Sequence, residues 1–265
     1  MDIKEILIAV GIVCLISLIV GVALGIAEKV FHVEVDEKEE KVREVLPGSN
    51  CGGCGYAGCD ALAHAIASGE APVSGCPVGG KPVAEQVAKI MGTELGEMTR
   101  KVAYVKCDGN SDKRTLDYNY IGIDSCTAAS IMPGSSPYAC KYGCLGFGSC
   151  ARVCPESAIR IIDKKAVVDE SLCIACGKCV KICPHQLIEL VPAESHYRVQ
   201  CFSHVKGKDV RDACTAGCIA CGICQKVCEA GAITVVDNIA KIDYEKCNSC
   251  GKCAEKCPRK IIKKY

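Results

Sequence analysis

The chain has no Trp and only three Phe among its 265 residues. A core anchored on large aromatic side chains is therefore excluded. Neither sign of charge dominates: 32 Lys and Arg against 31 Asp and Glu leave a net charge of +1. That balance excludes a general nucleic-acid binder. The five His are scattered, so no proton-transfer site is indicated. No Gly-rich nucleotide fingerprint lies on a strand-turn-helix, and there is no Ser–His–Asp or paired-carboxylate signature. Nucleotide or flavin chemistry would have to sit on partners.

Cysteine is what the chain has in excess, with 25 residues. In a secreted protein such richness would mean a disulfide scaffold. Here the cysteines stand in C-x2-C runs, and metal ligation needs reduced thiolates. A reducing compartment follows. The segment Leu172 to Pro184 reads LCIACGKCVKICP, placing Cys173, Cys176, Cys179 and Cys183 in a C-x2-C-x2-C-x3-C-P run. This is the bacterial ferredoxin ligand run for a [4Fe–4S] cluster, whose fourth Cys ligates the other cluster of a pair. Zinc is the bland alternative, which C-x2-C alone would leave open. Four Cys at these spacings before Pro argue against it. The Gly after the second Cys is expected to let the backbone pass close to inorganic sulfide.

The run recurs. Cys247, Cys250, Cys253 and Cys257 repeat it before Pro258. Cys218, Cys221, Cys224 and Cys228 repeat it with Glu229 in the Pro position. Cys144, Cys150 and Cys154 form an imperfect copy, with Phe147 in the second Cys slot. Exchange of fourth ligands then gives three complete sets: Cys218, Cys221, Cys224 with Cys257; Cys247, Cys250, Cys253 with Cys228; and Cys173, Cys176, Cys179 with Cys154. A fourth set, Cys144, Cys150 and Cys183, needs one more thiolate. Cys140 is preferred by proximity and Cys126 is the rival, which an internal repeat favours. In that repeat, Val-x-Cys107 followed by Cys140-x3-Cys144 matches Val-x-Cys201 followed by Cys214-x3-Cys218. With Cys140 used, Cys107, Cys126, Cys201 and Cys214 remain as an additional site joining the modules, or as structural thiols.

Toward the N-terminus, Cys51, Cys54, Cys59 and Cys76 are spaced C-x2-C-x4-C-x16-C in a Gly-rich setting that suits one [4Fe–4S] cube. Five clusters are thus expected, with a sixth as the extended alternative. Asp60 is expected to cap a short helix that Gly69 ends. His64 in that helix is read as a packed or surface residue. A second helix is expected over Pro82 to Met91. Strands are expected from Val102 to Cys107, from Tyr118 to Ile123 and from Leu187 to Val191. Hairpins are expected around Asp163-Lys164 and Asp237-Asn238.

The stretch Ile6 to Ala27 is uncharged. As a helix it would span roughly 33 Å, against roughly 30 Å of hydrocarbon. A single transmembrane helix is expected, with Cys14 an inert apolar residue within it. Lys4 on one side, against Lys29, Lys38, Lys41 and Arg43 on the other, predicts a cytoplasmic C-terminal part. The fold class is accordingly α+β: a single N-terminal transmembrane helix (1–28), a charged stalk (29–49), a small [4Fe–4S] domain (50–100), and two tandem two-cluster ferredoxin-like modules with N-terminal extensions (101–192 and 193–265).

The order of these parts, with the stretch CKYGCLGFGSCARVCPESAI, resembles the B subunits of Rnf complexes in the form found in anaerobes. The resemblance covers essentially the whole chain. It implies an iron–sulfur subunit of a membrane complex that couples ferredoxin oxidation and NAD+ reduction to Na+ or H+ transport. Other complex subunits, soluble ferredoxin and the cytoplasmic membrane would be its partners. The departures are Phe147 and Glu229. Two rival readings are a polyferredoxin subunit of another membrane hydrogenase or dehydrogenase, separated by neighbouring genes, and a membrane-tethered metal-binding protein without electron relay, separated by metal and sulfide analysis. The basic residues Lys246, Lys252, Lys256, Arg259, Lys260, Lys263 and Lys264 around the last Cys run suggest where an acidic ferredoxin would dock.

Overall fold

The computed structural model describes residues 3–30, 36–96 and 99–265, with side chains in the first helix from 11 to 26. That helix, α1, runs Ile3–Val30. Among the described residues no helix is long and apolar enough to cross a membrane. The expected transmembrane helix is corrected by that finding. The architecture described is α+β, built from short elements. Residues 31–35 of the expected stalk lie outside the described residues.

Helix α2 (Glu37–Val45) starts at Asp36, whose carboxylate accepts from the Lys38 N–H at 2.9 Å. It packs on α3 (Cys59–Ala67), burying Val42 and Leu46. Residues 36–46, expected in a charged stalk, pack on the Cys51 domain through Val42 and Leu46, while Glu37, Glu40 and Glu44 stay exposed. The expected Asp60 cap is also corrected. The helix begins one residue earlier, and Asn50 Oδ1 accepts from the Cys59 N–H at 2.8 Å. Asp60 lies within the first turn and pairs with Arg43 of α2. Helix α4 (Gly80–Met91) starts two residues before Pro82 and ends at Gly92, φ 69°.

The next unit runs β1 (Lys101–Val105), α5 (Cys126–Ser130), α6 (Ser149–Arg152), β2 (Ile159–Ile162), β3 (Lys165–Val168), α7 (Lys178–Ile182) and β4 (Ile188–Pro192). Strand β1 pairs antiparallel with β4, Val102 opposite Val191, so the extension closes onto the end of its module. The β2–β3 hairpin turns at Asp163 and Lys164, φ 47° and 58°, the left-handed pair that a two-residue turn requires. Tyr118 to Ile123 is not a strand. Ile121 and Ile123 are 95% and 74% exposed, so no packed face rewards pairing there. Only an isolated bridge, Leu116 to Tyr138, forms nearby.

The last unit repeats this plan with β5 (Tyr197–Val199), α8 (Gly207–Ala213), α9 (Ile223–Lys226), β6 (Ile233–Val236), β7 (Ile239–Ile242), α10 (Lys252–Glu255) and β8 (Ile262–Lys264). Strand β5 pairs with β8, and β6–β7 is a hairpin turning at Asp237 and Asn238. The extensions join the two units. Asp108 N–H donates to the Gln200 carbonyl at 3.1 Å, and Thr115 N–H to that of Ala213 at 3.1 Å. The buried Asp108 carboxylate gathers Lys113 at 2.7 Å, Lys165 at 3.0 Å and Lys263 at 2.7 Å.

Candidate metal centres

All four Cys runs share one backbone path. The residue before the second Cys position is left-handed in each: Ala175, Ala220 and Ser249 at φ 54°, 52° and 56°, and Gly146 at 79°. The Gly two residues later, at 177, 222, 251 and 148, is also left-handed and precedes the helix carrying the third Cys. Phe147 is thus a side-chain change on an unchanged loop. A Cβ on Gly146 would clash with the Lys164 carbonyl oxygen, so this copy has no room for the Ala or Ser of the others.

The structure brings Cys126, not Cys140, to the incomplete set. Cys126, Cys144, Cys150 and Cys183 line one small apolar cavity. Burial, with Cys144, Cys126 and Cys183 beside it, pushes the Cys150 thiol up to about 12. Several ties hold the loop of Cys126 in place. The Cys126 N–H donates to Ser149 Oγ at 2.9 Å, Arg152 donates to the Asp124 and Phe147 carbonyls at 2.8 and 2.9 Å, and Tyr120 packs on Phe147 with ring centroids 5.0 Å apart. Phe147 therefore anchors the loop that carries the replacement thiol. Cys126, the candidate the repeat favours, is the one placed beside the set, and Cys140 is not.

Cys140 faces a different space. With Cys107, Cys201 and Cys214 it lines a cavity of about 470 Å³ between the two units. Burial, with Cys107 and Cys214 near, pushes Cys140 up to about 11, and burial pushes Cys201 up to about 12. Hydrogen bonds link this cavity to both modules in the same way. The Cys144 N–H donates to Cys107 Sγ at 3.4 Å, and the Cys218 N–H to Cys201 Sγ at 3.3 Å.

The remaining sets come together as follows. Cys218, Cys221, Cys224 and Cys257 line one cavity. Cys179 is pushed up to about 12 by burial, with Cys173, Cys176 and Cys154 beside it. Cys253, pushed up to about 11, has Cys247 and Cys250 beside it, and Cys228 packs in the same core. Burial raises Cys76, with Cys59 and Cys51 near, and Gly53 and Gly79 donate backbone N–H to Cys51 and Cys76 at 3.4 and 3.3 Å. Cys54 packs against that core. Further N–H donors reach Cys173 (3.3 Å), Cys154 (3.3 Å) and Cys183 (3.4 Å). His64 Nδ1 is 2.9 Å from Glu39 Oε2, between α3 and α2. The exposed cysteines Cys221 and Cys250 are both in the last unit. Where the N-terminal domain meets the first module, a Cβ on Gly53 would lie 2.7 Å from the Cys176 carbonyl oxygen.

These surroundings fit iron–sulfur clusters. Buried thiols stay neutral until a cation compensates the thiolate, and backbone N–H groups aimed at sulfur are the contacts that tune such clusters. Among the described residues no three His, Cys, Asp or Glu side chains gather as tightly as a single metal ion requires. In three of the sets the cysteines line a cavity instead.

Protein-family models agree. An Fe-S cluster model matches residues 46–78, a 4Fe-4S binding domain matches 165–188, and a 4Fe-4S dicluster domain matches 217–261. Among curated relatives, the B subunit of the Na(+)-translocating ferredoxin:NAD(+) oxidoreductase complex of Acetobacterium woodii is 48% identical over 98% of this chain and 78% of its own length. The B subunit of an ion-translocating oxidoreductase complex from Methanosarcina acetivorans is 44% identical, covering 92% of each chain. The B subunit of the proton-translocating ferredoxin:NAD(+) oxidoreductase complex of Clostridium ljungdahlii is 44% identical over 95% of this chain and 90% of its own.

Proposed function

We propose a function from one premise: the chain belongs to the family of B subunits of ion-translocating ferredoxin:NAD+ oxidoreductase complexes. It is an electron-transfer subunit of such a complex, working between reduced ferredoxin and the partner subunits that reduce NAD+. Membership of an ion-translocating complex puts it at a membrane, and its reduced cysteines favour a cytoplasmic position for the cysteine-bearing part. When bound, [4Fe–4S] clusters supply one-electron transfer.

The residues proposed to hold them form six sets. Cys51, Cys54, Cys59 and Cys76 serve the N-terminal domain. Cys154 with Cys173, Cys176 and Cys179, and Cys126 with Cys144, Cys150 and Cys183, serve the first module. Cys107, Cys140, Cys201 and Cys214 serve the junction. Cys218, Cys221, Cys224 and Cys257, and Cys228 with Cys247, Cys250 and Cys253, serve the last module. The observation that carries the reading is that neighbouring sets touch in sequence. Gly53 packs on Cys176, Cys179 neighbours Cys150, Cys144 bonds Cys107, and Cys201 bonds Cys218. The chain's own work is to keep the thiols dry, aim N–H groups at them and hold the sets in a row.

Electrons are proposed to enter at the last module, where Cys221 and Cys250 are exposed. Of the basic residues there, Lys246 pairs with Asp243, Lys252 with Glu229 and Lys263 with Asp108. Lys256, Lys260 and Lys264 form no ion pair among the described residues and are exposed, so they are left to meet an acidic ferredoxin. Mixing reduced ferredoxin with the loaded chain should bleach ferredoxin and raise cluster EPR signals. Reversing these three to Glu should slow that transfer about tenfold at low ionic strength and less at high salt. A loaded chain that takes no electrons would refute the function. Unchanged rates in the triple variant would move only the entry site.

A further inference from the structure

Arg114 is 5% exposed and has no carboxylate partner among the described residues. Its guanidinium donates only to carbonyls, those of Asn110 (3.3 Å), Lys164 (2.8 Å) and Cys144, and lies 3.7 Å over the Tyr138 ring. Asp108, which lines the same junction cavity, is occupied by Lys113, Lys165 and Lys263. The contrast is Arg198, fully buried and ion-paired with Glu170. A guanidinium is always charged, and burying a charge without a counter-charge is strongly unfavourable. The surroundings of Arg114 are therefore incomplete without an anion that the chain's carboxylates do not supply.

The anion's place is fixed by two contacts. The Arg114 guanidinium donates to the Cys144 carbonyl of the first-module set, and Arg114 lines the junction cavity with Cys214, whose backbone pairs with its own. A [4Fe–4S] core with four thiolates is a net dianion and becomes a trianion on reduction. A fixed positive charge beside it stabilises the reduced form more than the oxidised form. We infer that Arg114 is the shared counter-charge of the first-module site at Cys144 and the junction site at Cys214, and holds the redox potentials of both up. It is a positioning and tuning residue rather than a ligand, and the inference rests on the cluster reading above. Each site also has a second cation nearby: Arg259 donates to the Gly217 (3.2 Å) and Cys214 (2.9 Å) carbonyls at the junction, and Arg152 ties the Cys126 loop to the helix of Cys150.

The test is an EPR-monitored redox titration of the full chain, reconstituted with iron and sulfide, as wild type, R114Q and R114K. Iron and sulfide content is measured first, so that failure of the wild type to load is seen separately and sinks the cluster reading with the inference. In R114Q the Cys144 site and the junction site should both shift to lower potential, and the remaining sites should stay in place. R114K should restore most of the shift. If R114Q loses iron at these two sites while R114K keeps it, the counter-charge role is supported through loading instead. Unmoved potentials in a fully loaded R114Q would overturn the inference. So would equal loss in both variants, which would assign Arg114 to hydrogen bonding alone.

Discussion

The two ferredoxin-like modules are built on one plan and differ where the plan is bent. Each has an extension strand paired to its last strand, a hairpin, and two cysteine turns. Each extension places a thiol under the N–H of the module's first run: Cys107 under Cys144, and Cys201 under Cys218. The last module keeps all of its own ligands and exposes Cys221 and Cys250. The first module has Phe147 in the second Cys slot, brings Cys126 to its incomplete set on a loop packed against Phe147, and buries Cys144, Cys150, Cys176 and Cys179. The difference is the basis for proposing contact with a soluble donor at the last module and internal relay through the first. Duplication also leaves each extension with cysteines its own module does not use, and those meet in the space between.

The comparison can be broken most sharply at the borrowed ligand. Changing Cys126 to Ala should cost the first module one cluster, about four irons per chain, or convert it to a three-iron form visible by EPR. If C126A keeps every iron, the borrowing is wrong. At the turns, Gly146→Ala puts a Cβ against the Lys164 carbonyl at a left-handed φ and should destabilise the chain by roughly 2 kcal/mol or more. The reverse change at the matching position, Ala220→Gly, relieves a left-handed Ala and should stabilise by about 1 kcal/mol. Thermal unfolding of the two variants reads both signs.

A smaller effect is expected where the modules are tied. Burial raises the Asp108 carboxyl, but hydrogen bonds from Lys113, Lys263 and Lys165 outweigh it and bring it down to about 2. A carboxyl depressed in the folded state stabilises fully above its unfolded value near 3.9. That contribution is lost as pH falls through about 2. Asp108→Asn should cost about 2 kcal/mol near neutral pH, with a difference from wild type that shrinks in acid. A constant difference down to pH 2 would show that charge is not what ties the units.

The sequence carried much of this because ligand chemistry is local. C-x2-C-x2-C-x3-C spacing fixes a turn, and the turn is the same at all four copies whatever fills the second slot. Hairpins at Asp163-Lys164 and Asp237-Asn238 were legible for the same reason. What was not legible depended on distance through space. Cys126 and Cys140 are equal as residue types, and sequence proximity pointed to Cys140. The choice is made by Tyr120 on Phe147 and by Ser149 on the Cys126 N–H, which no spacing reveals. The repeat points to Cys126 instead, since Cys140 matches Cys214, which its own run does not need. Asp60 was misassigned as a cap because Arg43, distant in sequence, sits across from it. The transmembrane expectation rested on apolar length alone, and the helix described does not sustain it.

The central claim is that the modules meet at a cluster site of their own. Iron and acid-labile sulfide counts on the fully loaded chain, and on a variant with Cys107, Cys140, Cys201 and Cys214 changed to Ala, test it most directly. The account predicts about 24 irons per chain falling to about 20 in the variant, with the other sites' EPR signals intact. A wild type that saturates at about 20, with no loss in the variant, would contradict it.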